Sequence, residues 1–117
     1  MPQFSANLSM LFPERPFLQR FAAAAQAGFS AVEFMFPYAF AIADLRDAIA
    51  RSKVRVVLHN LPPGDWDAGD RGIACHPNRT EEFRDSVAQA IAYASALQVP
   101  RLNCLAGRTP ARTYPAP

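Results

Sequence analysis

Residues 54–58 read Val-Arg-Val-Val-Leu, and His59 then opens a sixteen-residue run that ends at Ala74. The first stretch is β-branched and apolar, which predicts a strand buried on both faces of a parallel sheet. The run that follows holds three Gly, two Pro, three Asp, Arg71 and the single tryptophan, Trp66. A parallel strand returns to its sheet only through a crossover, so the chain must alternate strands with helices. A loop this long, with its own aromatic anchor and charged groups, is more often functional than decorative.

The rest of the chain supplies that alternation. Phe4 to Met10 is apolar with small polar residues interleaved, and Pro16 suits the first turn of a helix, where a missing N–H costs nothing. Phe17, Phe21 and Ala24 follow at helical spacing, flanked by Leu18 and Ala25, and Gly28 suits the helix end. Ala31 to Phe36 reads as a second strand closed by Pro37. Ile42, Leu45 and Ile49 form the next apolar stripe, with Asp44 in its first turn. Thr80 is placed to cap a third helix, whose expected buried stripe is Phe83, Val87, Ala90, Ile91, Ala94 and Leu97. Pro100 ends it, and Arg101 to Leu105 reads as a fourth strand.

This βαβαβαβ order implies a parallel sheet with right-handed crossovers. Polar residues recur late in each strand: Asn7, Glu33, His59 and Asn103. The first three are spaced by 26 residues, and the last interval is 44. The pattern points to a repeated βα unit with one loop enlarged on the carboxyl-terminal face, where ligands bind in both open α/β sheets and barrels. An open four-stranded sheet would be complete at 117 residues. A (β/α)8 barrel needs roughly 250. Pattern alone slightly favours the open sheet.

Composition excludes several classes. Half of the residues are hydrophobic and 19% are charged, as in ordinary globular chains. The net charge of +2 comes from scattered Arg residues, so no nucleic-acid footprint is visible. No apolar run approaches the ~18 residues of a membrane span, and no signal peptide is visible, so a cytoplasmic protein is expected. Cys75 and Cys104 match no established zinc spacing, with or without His59 and His76, and read as free thiols.

Five stretches carry a family resemblance: Phe4 to Phe12; Gly28-Phe29 with Val32 to Tyr38; His59 to Ala74; Glu81 to Asp85; and Leu102 to Leu105. Together they resemble the amino-terminal half of the hydroxypyruvate isomerases, in the xylose isomerase-like barrel superfamily. The resemblance covers about Phe4 to Pro110. It implies the first four βα units of a (β/α)8 TIM barrel over residues 1–110, with 111–117 a divergent Pro-rich tail. It further implies interconversion of hydroxypyruvate and 2-hydroxy-3-oxopropanoate with a divalent metal, Mg or Mn. In the family, the metal ligands and the two acid–base glutamates lie in the second half, which is absent here. The expectation is therefore a truncated, inactive form. A non-catalytic half-barrel that acts through assembly, and a related sugar epimerase, are the alternatives.

The substrate-binding candidates are His59, Arg71, Glu33, Asn7, Trp66 and Asn103. His59 ends a strand and could donate to a substrate oxygen, or be a satisfied histidine inside the strand end. Glu33 sits on an apolar strand, where a carboxylate is costly unless it is paired or functional. Arg71 offers the planar fork that suits a carboxylate, or pairs with Asp65, Asp67 or Asp70. Trp66 could wall a pocket or anchor its loop, and Asn7 and Asn103 could orient neighbours. The three loop aspartates read as a solvated face rather than a metal cage, and no catalytic or metal-ligating residue is assigned. The expected ligand is a small hydroxy-keto acid. Unpaired sheet edges predict self-association.

Overall fold

In the computed structural model, residues 2–110 are described. Strand β1 (Ser5–Asn7) leads to α1 (Phe17–Gln26), β2 (Ala31–Glu33), α2 (Ile42–Ser52), β3 (Arg55–Asn60), a 3-10 turn (Pro77–Arg79), α3 (Thr80–Leu97) and β4 (Leu102–Asn103). All three strand pairings are parallel, in the order β1-β2-β3-β4. The residues expected in a tail, 111–117, lie outside the described part.

The layering decides between the two architectures. Ala6, Val32 and Val56 sit side by side in register. They join Phe21 and Ala24 of α1, Leu45 of α2, and Ala94 and Leu97 of α3 in one core. All three helices therefore cover the same face of the sheet. A doubly wound sheet reverses its strand order and carries helices on both faces. Here the order never reverses, as in a segment of a barrel wall.

Local chemistry explains the element ends. Gly28 takes φ +98°, a region that favours glycine. Its N–H bonds the carbonyl of Ala25, and the Phe29 N–H bonds that of Ala24, which closes α1 in a Schellman motif. Phe17 and Phe21 meet Phe34 edge-on at 5.4 and 5.8 Å, tying α1 to the residue that follows β2. β1 is shorter than Phe4 to Met10, because the Asn7 carbonyl receives the N–H groups of Met10 and Leu11 and turns the chain. β2 stops at Glu33 and β3 runs on to Asn60. Arg55 is exposed, so the start of β3 is buried on one face only.

Two expectations for α3 are corrected. Thr80 is its first residue rather than its cap, since the 3-10 turn runs straight into the helix and the Thr80 hydroxyl donates to the Pro77 carbonyl. The buried line is Ser86, Ala90, Ala94 and Leu97, while Ile91 is 52% exposed. Small side chains let the helix lie close to its neighbours, and that rotation turns Ile91 outward. No helix among the described residues is long and apolar enough to cross a membrane.

Candidate functional site

The strand register decides which side chains reach the face that the helices leave open. Asn7 pairs with Glu33 opposite the core-facing row, and Glu33 pairs with Leu58. A bulge lies between the pairs Val32–Val56 and Glu33–Leu58, so β3 spends one extra residue there. Beyond it the alternation resumes with Leu58 on the open face, His59 on the helix side and Asn60 on the open face. The pairs His59–Leu102 and Asn60–Asn103 carry the same assignment into β4. Leu102 packs against the core, and the Asn103 Nδ2 donates to Asn60 Oδ1 at 3.1 Å. Asn7, Glu33, Asn60 and Asn103 thus line the open face near the carboxyl ends of the strands.

His59 takes the second of its two expected places, a hydrogen-bonded histidine inside the strand end. It is fully buried and stacks on Phe34, with ring centroids 5.9 Å apart and planes within 5°. Tyr38 meets it edge-on at 6.0 Å. The Nδ1 atom lies 3.2 Å from the Asn60 carbonyl, which only accepts, so Nδ1 carries the proton. The Tyr38 hydroxyl donates to the same carbonyl. Nε2 is buried and has no partner among the described residues. Burial pushes the imidazole pKa below its ordinary value, and the Asn60 carbonyl opposes that shift. Burial, then the neighbouring Tyr93, push the Tyr38 phenol upward. His59 and Tyr38 therefore brace the backbone of Asn60 from behind.

Asn60 went unrecognised in the sequence reading. It stands next to the histidine, and the even 26-residue spacing pointed one position too early because the bulge is invisible in sequence.

The loop after β3 is braced by its own polar groups. The Leu61 N–H bonds the Asn103 carbonyl, Gly72 bonds Pro63, and Cys75 bonds Ala106. Gly72 has φ +98°, and a Cβ there would overlap the Leu105 carbonyl, so loop and post-β4 segment meet backbone to backbone. Asp70 accepts from the Asp65 N–H at 2.7 Å and from Arg79 at 2.8 Å. Arg79 also reaches both carboxylate oxygens of Glu82, which ties the loop to the start of α3. The Arg79 hydrogen bond, aided by the Asp65 amide, holds the Asp70 carboxyl at about 2. Asp65 and Asp67 are exposed, and Arg79 is the loop's acid partner that the sequence reading did not single out.

Arg71 does not pair with those aspartates. Its Nη1 donates to the carbonyls of Trp66 and Asp70 at 3.0 and 2.7 Å. Its Cζ lies 3.7 Å from the centroid of the Trp66 ring, a cation–π stack. Trp66 in turn meets Phe36 at 5.3 Å and stays 37% exposed. No carboxylate pairs with the Arg71 guanidinium among the described residues. The stack fixes the plane of the fork, and among the described residues the hydrogen bonds of Arg71 leave from Nη1.

Glu33 is half-buried, and no cation pairs with it among the described residues. Asn7 Oδ1 accepts from the Ser9 N–H at 2.9 Å, so part of its capacity holds the turn after β1. The described residues contain no group of three or more His, Cys, Asp or Glu side chains placed to hold a metal. Glu33 is the one acid in the four strands, and a lone carboxylate does not make a divalent cation site. Cys75 and Cys104 are free thiols.

Comparison with known proteins agrees with this geometry. The family model for the xylose isomerase-like TIM barrel matches residues 21–116. The chain belongs to that family. It is 61% identical over 111 residues to the hydroxypyruvate isomerase of Escherichia coli strain K12, a match that covers 95% of this chain and 43% of that protein. It is 48% identical to the 2-oxo-tetronate isomerase of Cupriavidus necator, with the same coverage of both. A crystal structure described as an AP endonuclease, family 2, from Brucella melitensis superposes with a TM-score of 0.89 at 48% identity. That match covers 92% of this chain and 42% of the other. The chain thus spans about two fifths of the length of these relatives, and its parallel sheet with helices on one face is a half-barrel of the family.

Proposed function

We propose that this chain is the substrate-holding half of an isomerase that interconverts hydroxypyruvate and 2-hydroxy-3-oxopropanoate. The reaction moves a carbonyl between adjacent carbons, so a proton leaves C3 and one arrives at C2 through an enediol-like intermediate. That chemistry needs a base, an acid and a group to hold charge on oxygen. It also needs a grip on the carboxylate that does not react.

The observation that carries the reading is Arg71, stacked on Trp66 and free of any carboxylate partner among the described residues. It meets the need for a grip by two-point recognition. Glu33, Asn7 and Asn103 line the open face near the carboxyl ends of the strands, and His59 supports that face from behind. One carboxylate does not supply both proton-transfer roles, and the chain lacks a set of metal ligands among its described residues. The resemblance to hydroxypyruvate isomerases assigns both to the second half of the family's barrel, and in this reading residues 1–117 hold substrate without turning it over. An acid-reading arginine favours a short keto acid over the ketohexose of a sugar epimerase. In this reading the enzyme works in the cytoplasm.

The outer strands β1 and β4 and the exposed Phe4, Met10 and Ile91 favour self-association, which sedimentation velocity would detect. Binding is tested through Trp66. Hydroxypyruvate should change its emission saturably, and Arg71→Met should abolish the response while the far-UV spectrum is kept. A response that survives in Arg71→Met overturns the assignment.

A further inference from the structure

The amide pair on the open face reaches beyond carboxylate binding. Asn60 and Asn103 face each other in register across β3 and β4, joined by the 3.1 Å bond from Asn103 Nδ2 to Asn60 Oδ1. That bond uses one donor of Asn103 and the acceptor of Asn60. Among the described residues the Asn60 Nδ2 group and the Asn103 Oδ1 atom have no partner. The pair therefore presents a free donor beside a free acceptor, one strand spacing apart.

Both residues are held from the main chain. The Asn60 carbonyl receives Tyr38 and His59, and the Asn60 N–H bonds the Met35 carbonyl at 2.9 Å. The Asn103 carbonyl receives the Leu61 N–H, the first residue of the loop that carries Arg71. The amide pair and the loop that carries Arg71 thus share one stretch of backbone.

We propose that Asn60 and Asn103 form a joined donor–acceptor pair that reads a hydroxyl next to the 2-oxo group of the substrate. The inference rests on the carboxylate reading of Arg71. Asn60 Nδ2 donates to the C2 carbonyl oxygen, and Asn103 Oδ1 accepts from the C3 hydroxyl. Pyruvate offers the same carboxylate and carbonyl but no hydroxyl, so it leaves the Asn103 acceptor unmatched. One unmatched neutral hydrogen bond on an accessible face corresponds to about fivefold in affinity.

The test is a pair of NMR titrations of the 15N-labelled 117-residue chain, one with hydroxypyruvate and one with pyruvate. The wild-type chain should bind hydroxypyruvate about fivefold more tightly, with the side-chain amide signal of Asn60 shifting in both titrations and that of Asn103 only with hydroxypyruvate. Asn103→Ala, at an exposed position, should bind both acids equally and with the affinity of pyruvate. Asn60→Ala should weaken both, since it removes the carbonyl donor. Equal binding by the wild-type chain, or discrimination that survives in Asn103→Ala, overturns the inference and leaves the Arg71 clamp standing. If neither acid moves the Arg71 and Trp66 signals, the clamp itself is wrong and the inference falls with it.

Discussion

Replacing His59 with phenylalanine should flatten the pH dependence of stability between pH 5.0 and 7.5. The imidazole is fully buried, burial lowers its pKa in the folded chain, and its Nε2 has no partner among the described residues to share a second proton. In the unfolded chain the ordinary value of about 6.5 applies. Between the folded and unfolded values the unfolded state binds more protons, so stability is full above about pH 6.5 and falls as the pH drops below it. Each pH unit contributes about 1.4 kcal/mol in that window, which gives at most about 2 kcal/mol between pH 7.5 and 5.0. Urea unfolding followed by circular dichroism at half-unit pH steps measures the slope. His59→Phe keeps a ring against Phe34 and removes the titration, at a constant offset from the lost bond to the Asn60 carbonyl. Asp70 titrates near pH 2 and stays outside the window. A slope unchanged in His59→Phe would refute the placement of this histidine in the helix layer.

Two further perturbations probe the loop. Gly72→Ala forces a side chain into a positive-φ position and against the Leu105 backbone. Strain of about 1–3 kcal/mol and overpacking of about 1–3 kcal/mol should together remove much of a typical domain's stability, and a urea midpoint close to wild type would contradict the close crossing. Asp70→Asn should free Arg79 from the loop and speed amide exchange across residues 65–72. In the unmodified chain the same protection should persist down to about pH 4 and fade toward pH 2, because the depressed carboxyl stabilises the loop only while ionised.

The fold was legible where side-chain periodicity and turn chemistry act locally. Gly28 marked the end of α1 because the Schellman turn requires its φ, and Val54 to Leu58 marked a strand through branching and apolarity. Which face each helix covers was less visible. The α3 stripe reads as bulky residues in sequence, yet Ser86 and Ala90 are the residues that pack, because close approach outweighs side-chain size. The choice between open sheet and barrel wall depended on strand order, a nonlocal property that periodicity does not encode.

The site was half legible. Arg71 and Trp66 were singled out by residue type, and the structure joins them in one stack. Glu33 and Asn103 fell on the open face because simple alternation holds on β2 and β4. On β3 one bulged residue shifts the parity, so Asn60 rather than His59 shares the open face with Glu33 and Asn103.

The division between holding substrate and moving protons is tested most directly by 13C NMR of labelled hydroxypyruvate with the purified, folded 117-residue chain and Mg2+ or Mn2+. The account predicts saturable binding at Arg71 and no 2-hydroxy-3-oxopropanoate beyond the metal-only control. Turnover well above that control would show that the proton-transfer groups lie within these residues, and would contradict it.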